Sequence, residues 1–148
     1  MAVIVLTDVS VEIGGVDLSD RIASVSLASN ADAVETTAFG TAGARTRVGG
    51  LKDNSITIDF HQDFAATEVE ATIYPLIGTL TNVVVKPTSG AISATNPAYL
   101  MNGALVGGEQ AGQVLVTEWT PINGAVGELA TASVTWSITG AIVKDVTP

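Results

Sequence analysis

The 148-residue chain has a formal net charge of −9 and a pI near 4.2, and it is 47% hydrophobic but only 14% charged. The apolar content excludes a wholly disordered chain, and the absence of Cys excludes a disulfide scaffold or a thiolate metal site. Six basic residues against fifteen acidic ones disfavour a protein that holds nucleic acid by neutralising phosphates. We expect a single domain over residues 1–148, with poorly charged surface buried against a partner.

The apolar start of the chain, residues 1–6, is short. It lacks the basic segment and the small-residue cleavage site of a secretory signal. No stretch reaches the roughly 18 consecutive apolar residues of a membrane helix. We therefore expect a protein without a membrane partner that stays in the cell that makes it.

Alternation of apolar and polar residues with a period of two dominates the chain and predicts β-strands. The first strand runs into Gly14-Gly15, a predicted hairpin turn because Gly accepts a positive φ. The predicted strands are 9–13, 22–28, 33–39, 54–63, 82–88, 99–106, 114–120 and 130–139. Strands of this spacing predict a mainly β fold, an antiparallel β-sandwich or partial barrel.

The clearest strand lies near the C-terminus, where one face is apolar and the other carries only hydroxyl groups. The apolar residues are Ala130, Ala132, Val134, Trp136 and Ile138, and the hydroxyl residues are Thr131, Ser133, Thr135, Ser137 and Thr139. We expect Trp136 in the core. Trp119 lies near a strand end and is a candidate interface residue, since aromatic residues are enriched at interfaces. Stacking on a sugar is the less favoured interpretation, because aromatic residues make up only 5% of the chain. An uncharged hydroxyl face is unusual for a surface exposed to water.

One segment has helical spacing instead and predicts a flanking α-helix over about residues 65–78. Its apolar residues are Val69, Ile73, Leu76 and Ile77. Asp63 lies in the N-cap region, and Pro75 should kink or end the helix near Tyr74. The spacing indicates about three turns.

The segment 40–50 (GTAGARTRVGG) predicts an extended loop, longer than the usual two to five residues or so of a hairpin connection. Three of the six basic residues, Arg45, Arg47 and Lys52, lie in or beside it. The loop is either solvated and flexible or an arm that docks on an acidic neighbouring copy. We name Arg45, Thr46, Arg47 and Lys52 as its candidate contact residues.

His61 lies between Asp59 and Asp63 in a predicted strand, a spacing that would suit a metal site or an Asp–His relay. Against both, His61 is the only histidine and no motif marks a nucleophile. The favoured interpretation is an ordinary solvent-facing strand. We expect no enzyme activity, no metal and no cofactor.

With these elements in order, the chain resembles the tail tube proteins, the major tail proteins of long-tailed bacteriophages. The resemblance covers most of the chain. It rests on the β-rich start VEIGGVDLSDRIASVSL, the extended 40–50 loop, LKDNSITIDF leading into the helix with Tyr74-Pro75-Leu76-Ile77-Gly78, and the closing strand LATASVTWSITGAI.

The resemblance implies a β-sandwich with a flanking helix whose copies form hexameric rings that stack into a tube. Neighbouring sheets would join into a continuous β-barrel around a lumen, and the long loops would bridge successive rings. The partners would be other copies, a tape measure protein and a tail terminator. Double-stranded DNA would pass through without specific binding, and no cofactor is implied. Localisation would be the virion tail, after assembly in the host cytoplasm.

Asp59 and His61 are candidate lumen-facing residues because they point away from the predicted core. An acidic lumen would repel phosphate and let DNA slide. Two alternatives remain: another virion structural protein, such as a tail terminator or head decoration protein, and a carbohydrate-binding or adhesin module.

Overall fold

The computed structural model describes residues 3–147, apart from the side chain of residue 41. Met1 and Ala2, which begin the apolar run 1–6, lie outside the described residues. The strands are β1 (Ser10–Ile13), β2 (Val16–Asp17), β3 (Ile22–Glu35), β4 (Arg47–His61), β5 (Leu80–Thr81), β6 (Val83–Lys86), β7 (Ala98–Met101), β8 (Leu105–Val106), β9 (Glu109–Gln110), β10 (Gln113–Leu115), β11 (Thr131–Thr139) and β12 (Val143–Asp145). The helices are α1 (Val69–Ile73) and the 3-10 turns Ser19–Arg21, Phe39–Thr41 and Tyr74–Leu76.

The strands form two five-stranded sheets and a small ribbon. Sheet one has the order β12-β7-β6-β1-β2, and sheet two has the order β3-β4-β11-β10-β5. All pairs of strands are antiparallel. The mainly β class predicted from the alternating pattern is therefore confirmed.

One hydrophobic core lies between the two sheets, because its buried residues come from both of them. Along β11 every second residue is buried, so the predicted apolar and hydroxyl faces are confirmed. Trp136 is fully buried there, as expected, and its Nε1 donates to the carbonyl oxygen of Glu118 at 2.9 Å. A hydrogen-bonded indole satisfies its polar group while filling the core.

The outer face of sheet one is covered, whereas that of sheet two is not. A second apolar cluster on sheet one contains Ala98, Leu100, Ala111 and Val143, and partly buried residues of β6, β8 and the loop before β7 pack against it. The outer residues of β11 in sheet two are all exposed. The outer face of sheet one is therefore packed against other parts of the chain, whereas the outer face of sheet two is open to solvent.

The predicted helix over 65–78 is too long. The α-helix comprises only Val69–Ile73, followed by the 3-10 turn at Tyr74–Leu76. Thr67 has a left-handed φ of 64°, which stops helical geometry on the N-terminal side. Pro75 has no N–H to continue the α-helical bonding, so that part of the prediction is confirmed. No helix among residues 3–147 is long and apolar enough to cross a bilayer.

Three predicted strand boundaries are also wrong. The predicted strands 22–28 and 33–39 merge into one continuous strand, β3, which pairs with β4 along its length and ends at Glu35. The predicted strand 99–106 is divided between β7 and β8, and the predicted strand 114–120 ends at Leu115. Beyond Leu115 the chain no longer pairs with β11, and the backbone N–H of Thr135 instead donates to the carboxylate of Glu118 at 2.7 Å.

Close backbone packing at the end of β11 explains one glycine. A Cβ atom at Gly112 would overlap the carbonyl oxygen of Thr139 and lie 2.8 Å from the Cα of Gly140. The N–H of Gly112 also donates to the carbonyl of Ala141 at 2.8 Å. Only glycine allows the two backbones to approach this closely.

Candidate functional site

A long hairpin arm projects from sheet two. β3 and β4 pair from Ile22↔Phe60 out to Glu35↔Arg47. The pairing of β4 with β11 stops at Asn54, so the β3–β4 hairpin extends well beyond the other strands of the sheet. We define the arm as residues 29–53. Every residue of the arm with a described side chain is exposed, so both faces of this part of the hairpin lie in solvent.

The arm is ordered by its own ladder and not by burial. At its tip, the N–H of Thr36 donates to the carbonyl of Thr46 at 2.8 Å, and their hydroxyls lie 2.9 Å apart. The Thr46 N–H donates to the Thr37 hydroxyl at 3.0 Å. The β3–β4 register shifts between Ala31 and Ala33, a β-bulge that increases local twist.

Beside the bulge, Asp32 and Val34 of β3 lie close to Gly50. A Cβ atom there would lie 2.8 Å from Cγ2 of Val34, whereas one at Gly49 would meet no atom within 4 Å. Val34 is β-branched and stiff, so it cannot move aside easily. Gly50 is therefore a structural requirement of the arm, and Gly49 is not.

The root of the arm depends on a buried polar residue that the sequence pattern did not indicate. Asn54 is 3% exposed. Its Nδ2 donates to the carbonyl of Gly140 at 3.0 Å, and its Oδ1 accepts from the hydroxyl of Ser29 at 2.6 Å. Asn54 thereby ties both strands of the arm to the end of β11. The alternating pattern over 54–63 indicated neither the burial of Asn54 nor its two partners.

The structure corrects the predicted 40–50 loop. Arg47 and Lys52 belong to β4, where they pair with Glu35 and Ala31, so residues 47–50 are strand and not loop. They pair because the arm continues the β3–β4 ladder beyond the sandwich. Only residues 36–46 connect the two strands.

The candidate contact residues therefore differ in their surroundings. Nη1 of Arg45 lies 4.0 Å from Oε1 of Glu35, and both side chains are more than half exposed. An exposed pair of this kind contributes little to stability. Thr46 is engaged in the tip ladder, whereas Arg47 and Lys52 are exposed along β4. The arginine side chains thus remain accessible to a partner.

The uncovered outer face of sheet two is a hydroxyl face. It carries the hydroxyl residues of β11, and the neighbouring strands contribute Ser24, Ser26, Ser55 and Thr57. The hydroxyls of Thr57 and Thr135 lie 3.1 Å apart across the β4–β11 pair. These side chains give a polar surface with few charges.

Asp59 lies in the middle of the hydroxyl face, as expected from its position in the alternating pattern. The Ser133 hydroxyl, and the Ser24 hydroxyl at 2.9 Å, donate to its carboxylate and lower the pKa of Asp59 below its ordinary value. Hydrogen bonds to a carboxylate favour its charged form. Asp59 is therefore a fixed negative charge on this face.

His61 and Asp63 do not join Asp59 in a shared site. His61 ends β4 opposite Thr131, and its Nδ1 is buried without a hydrogen-bond partner among the described residues. Asp63 lies beyond the strand, where the Nε of Arg21 donates to its Oδ2 at 2.8 Å. No group of three metal-ligating side chains occurs within residues 3–147.

The end of sheet two opposite the arm is organised around Glu70 of α1. Its Oε2 accepts from Nε1 of Trp119 at 2.6 Å and from Nε2 of Gln62 at 3.2 Å. The same Gln62 nitrogen donates to the carbonyl of Pro121 at 2.7 Å, and Trp119 packs edge-on against Phe60. Trp119 thus anchors the segment 117–130 to the sandwich. Both tryptophans use their indole N–H groups within the fold, unlike an exposed sugar-stacking platform.

The chain resembles known proteins in its fold but not in its sequence. No protein-family model matches the chain, and no curated protein matches its sequence. A chain of a structure described as "Virion of native gene transfer agent (GTA) particle" aligns with a TM-score of 0.64 and 14% identity, over 93% of this chain and 95% of that chain. This chain shares the fold of a virion chain.

A second structure agrees. A chain of "Tail of empty GTA particle computed with helical refinement, C6 symmetry" aligns with a TM-score of 0.55 and 15% identity, covering 83% of this chain and 81% of that chain. The likeness therefore extends over more than four fifths of this chain in both comparisons. At these identities it is the fold that is shared.

Proposed function

We propose that this chain is a structural protein of a phage-type tail, and that its copies form rings that stack into a tube. The observation that carries the proposal is the shared fold with chains of gene transfer agent virion and tail particles. The long exposed arm and the uncovered hydroxyl face support it, because an isolated monomer needs neither. The proposed localisation is the virion tail, after assembly in the host cytoplasm.

Rings would form through the edges of sheet two, which are β3 and β5. An edge strand presents unpaired N–H and C=O groups, and pairing it with another copy satisfies them. Repetition of this contact around a closed ring would join the sheets into one barrel. Six copies per ring is the number we propose, supported by the C6 symmetry named for the gene transfer agent tail.

The hydroxyl face would line the lumen, with Asp59 and His61 on it. A surface of Ser and Thr hydroxyls offers no strong cationic contact to phosphate, and the Asp59 carboxylate repels it. Double-stranded DNA would therefore pass without specific binding. The role is structural and not catalytic, and the further partners we propose are a tape measure protein and a tail terminator.

The arm would join successive rings. It carries three acidic and three basic side chains, so the net charge of −9 lies on the rest of the chain. The acidic residues are Asp32, Glu35 and Asp53, and the basic ones are Arg45, Arg47 and Lys52. An arm that is less negative than the body, with arginines at its tip, is complementary to another copy.

Electron microscopy of the purified protein tests the proposal. We expect long tubes, and isolated rings would favour a tail terminator. The double variant Arg45→Glu/Arg47→Glu should remain folded by circular dichroism but form no tubes. The matched control Lys86→Glu/Lys144→Glu makes the same change of net charge on sheet one and should still form tubes. Normal tubes from the arm variant would contradict its role in stacking.

A further inference from the structure

The arm tip and the segment 117–130 lie at opposite ends of sheet two. β4 runs from Arg47 in the arm to His61, which pairs with Thr131 directly after that segment. A strand rises about 3.3 Å per residue, so the fifteen residues of β4 separate the two ends by about 46 Å. The subunit is therefore elongated along β4, with the arm at one end and the segment 117–130 at the other.

The end opposite the arm exposes large apolar side chains. We define the end patch as Phe64, Ile122, Val126 and Leu129, which are between 62% and 105% exposed. The segment that carries three of them is fixed to the sandwich and does not hang free. The Gln62 N–H donates to the carbonyl of Ala130 at 3.0 Å, and the Thr131 N–H donates to that of Asn123 at 3.2 Å.

The arm exposes apolar side chains as well. Val34, Phe39, Val48 and Leu51 are all exposed, and Phe39 at the tip is fully so. Both ends thus offer apolar surface of the kind that soluble proteins cover by association. Because the two patches are about 46 Å apart on one subunit, they can meet only between copies.

Charge distinguishes the two ends. The tip, residues 36–47, contains two arginines and no acidic residue. The segments 62–77 and 117–130 contain five acidic residues, and the basic group beside them is Arg21, whose Nε lies 2.8 Å from Asp63 and 3.9 Å from Glu68. The acidic residues are Asp63, Glu68, Glu70, Glu118 and Glu128. Opposite charges beside exposed apolar groups favour tip-to-end contact and disfavour end-to-end contact.

We infer that the arm tip of one copy docks on the end patch of a copy in the next ring, with Phe39 on the apolar residues and Arg45 and Arg47 facing Glu128 and its acidic neighbours. The inference rests on the proposed function and names the surface that receives the arm. Such a contact joins two different patches and does not close on itself. Repetition of a contact of this type builds an open filament.

The absence of cysteine allows a direct test by disulfide crosslinking. A disulfide needs Cα atoms within about 4.4–6.8 Å, so it reports close contact. Phe39→Cys should be combined in turn with Ile122→Cys, Val126→Cys or Leu129→Cys, and tubes oxidised mildly. At least one pair should give a ladder of dimers, trimers and longer covalent chains on a non-reducing gel, because each copy then carries both halves of the contact.

The controls separate this contact from others. A mixture of the two single variants of that pair should stop at dimers, because no copy then carries both halves. The pair Phe39→Cys/Lys144→Cys, which directs the arm to sheet one, should give no ladder. Tubes without a ladder from any of the three pairs would overturn the inference and leave the tube intact. Failure of the wild-type protein to form tubes would instead count against the proposed function.

A charge exchange covers the case in which the cysteine variants fail to assemble. Glu128→Arg alone should reduce tube formation about tenfold in a sedimentation assay, because it places a cation opposite the arginines of the tip and like charges that face each other disfavour a contact. Adding Arg45→Glu should restore much of that loss. Folded single and double variants that assemble equally poorly, or a single variant that assembles normally, would contradict the docking.

Discussion

Replacement of Asn54 by Ala tests how the arm is attached to the sandwich. The substitution removes the hydrogen bonds to the Gly140 carbonyl at 3.0 Å and from the Ser29 hydroxyl at 2.6 Å. Gly140 and Ser29 are both exposed, so water can replace the lost partner. Each bond then contributes only its net value of about 0.5–1.5 kcal/mol, and the pair about 1–3 kcal/mol.

Urea unfolding followed by circular dichroism measures this loss. We expect the midpoint to fall without a change in the slope, because the surface exposed on unfolding is unaltered. In a thermal scan each 1 kcal/mol corresponds to about 2–4 °C for a chain of this size. Ser29→Ala should cost about 1–3 kcal/mol, as much as Asn54→Ala, because it leaves Oδ1 of the buried Asn54 without its hydrogen-bond donor.

Ser26→Ala is the matched control for Ser29→Ala. Ser26 is an exposed serine on β3, as Ser29 is, and its side chain has no hydrogen bond among the described contacts. It should change the free energy of unfolding by less than about 0.5 kcal/mol. Asn54→Asp should be worse than Asn54→Ala at neutral pH, since it places a carboxylate against the Gly140 carbonyl. An Asn54→Ala variant as stable as the control would refute the reasoning.

Two further predictions concern the sandwich itself. Gly112→Ala should destabilise the fold by about 1–3 kcal/mol or more in urea unfolding, because its methyl group would overlap a backbone carbonyl of β11, whereas Gly49→Ala should be nearly neutral. The backbone N–H of Ala65 and the Arg21 guanidinium lower the pKa of Asp63 below its ordinary 3.8. The unfolded chain therefore binds the proton more readily, so this stabilisation is complete above about pH 4 and is lost as the pH falls through the folded pKa. Asp63→Asn should make the urea midpoint less dependent on pH between pH 6 and pH 3, and an unchanged dependence would contradict this assignment.

The alternating pattern predicted much of the sandwich, because a strand that is buried on one face alternates apolar and polar residues in the sequence. The even-numbered residues of β4 from Asn54 to Phe60 are buried, as are those of β11, and the hydroxyl face lies opposite. The same pattern placed Asp59 on the outer face and Trp136 in the core. Pro75 marked the end of α1, since the missing N–H acts locally.

The arm could not be predicted in the same way. Its residues are exposed on both faces, so no alternation distinguishes strand from loop over 40–53. Segment 40–50 accordingly resembled a loop, although Arg47 and Lys52 extend the ladder of β4. The bond from Asn54 to Gly140 could not be predicted either, because Gly140 is 86 residues away along the chain.

The sequence by itself determined the mainly β class, the hydroxyl face, and the scarcity of charge on an acidic, apolar chain. These are properties of residue type and spacing, which local backbone geometry converts into faces. Only the tertiary structure decided that Arg45, Arg47 and Lys52 lie on an arm at one end and the exposed apolar residues of segment 117–130 at the other. That arrangement depends on the pairing of distant strands, and pairing is a property of the whole fold that no single segment carries.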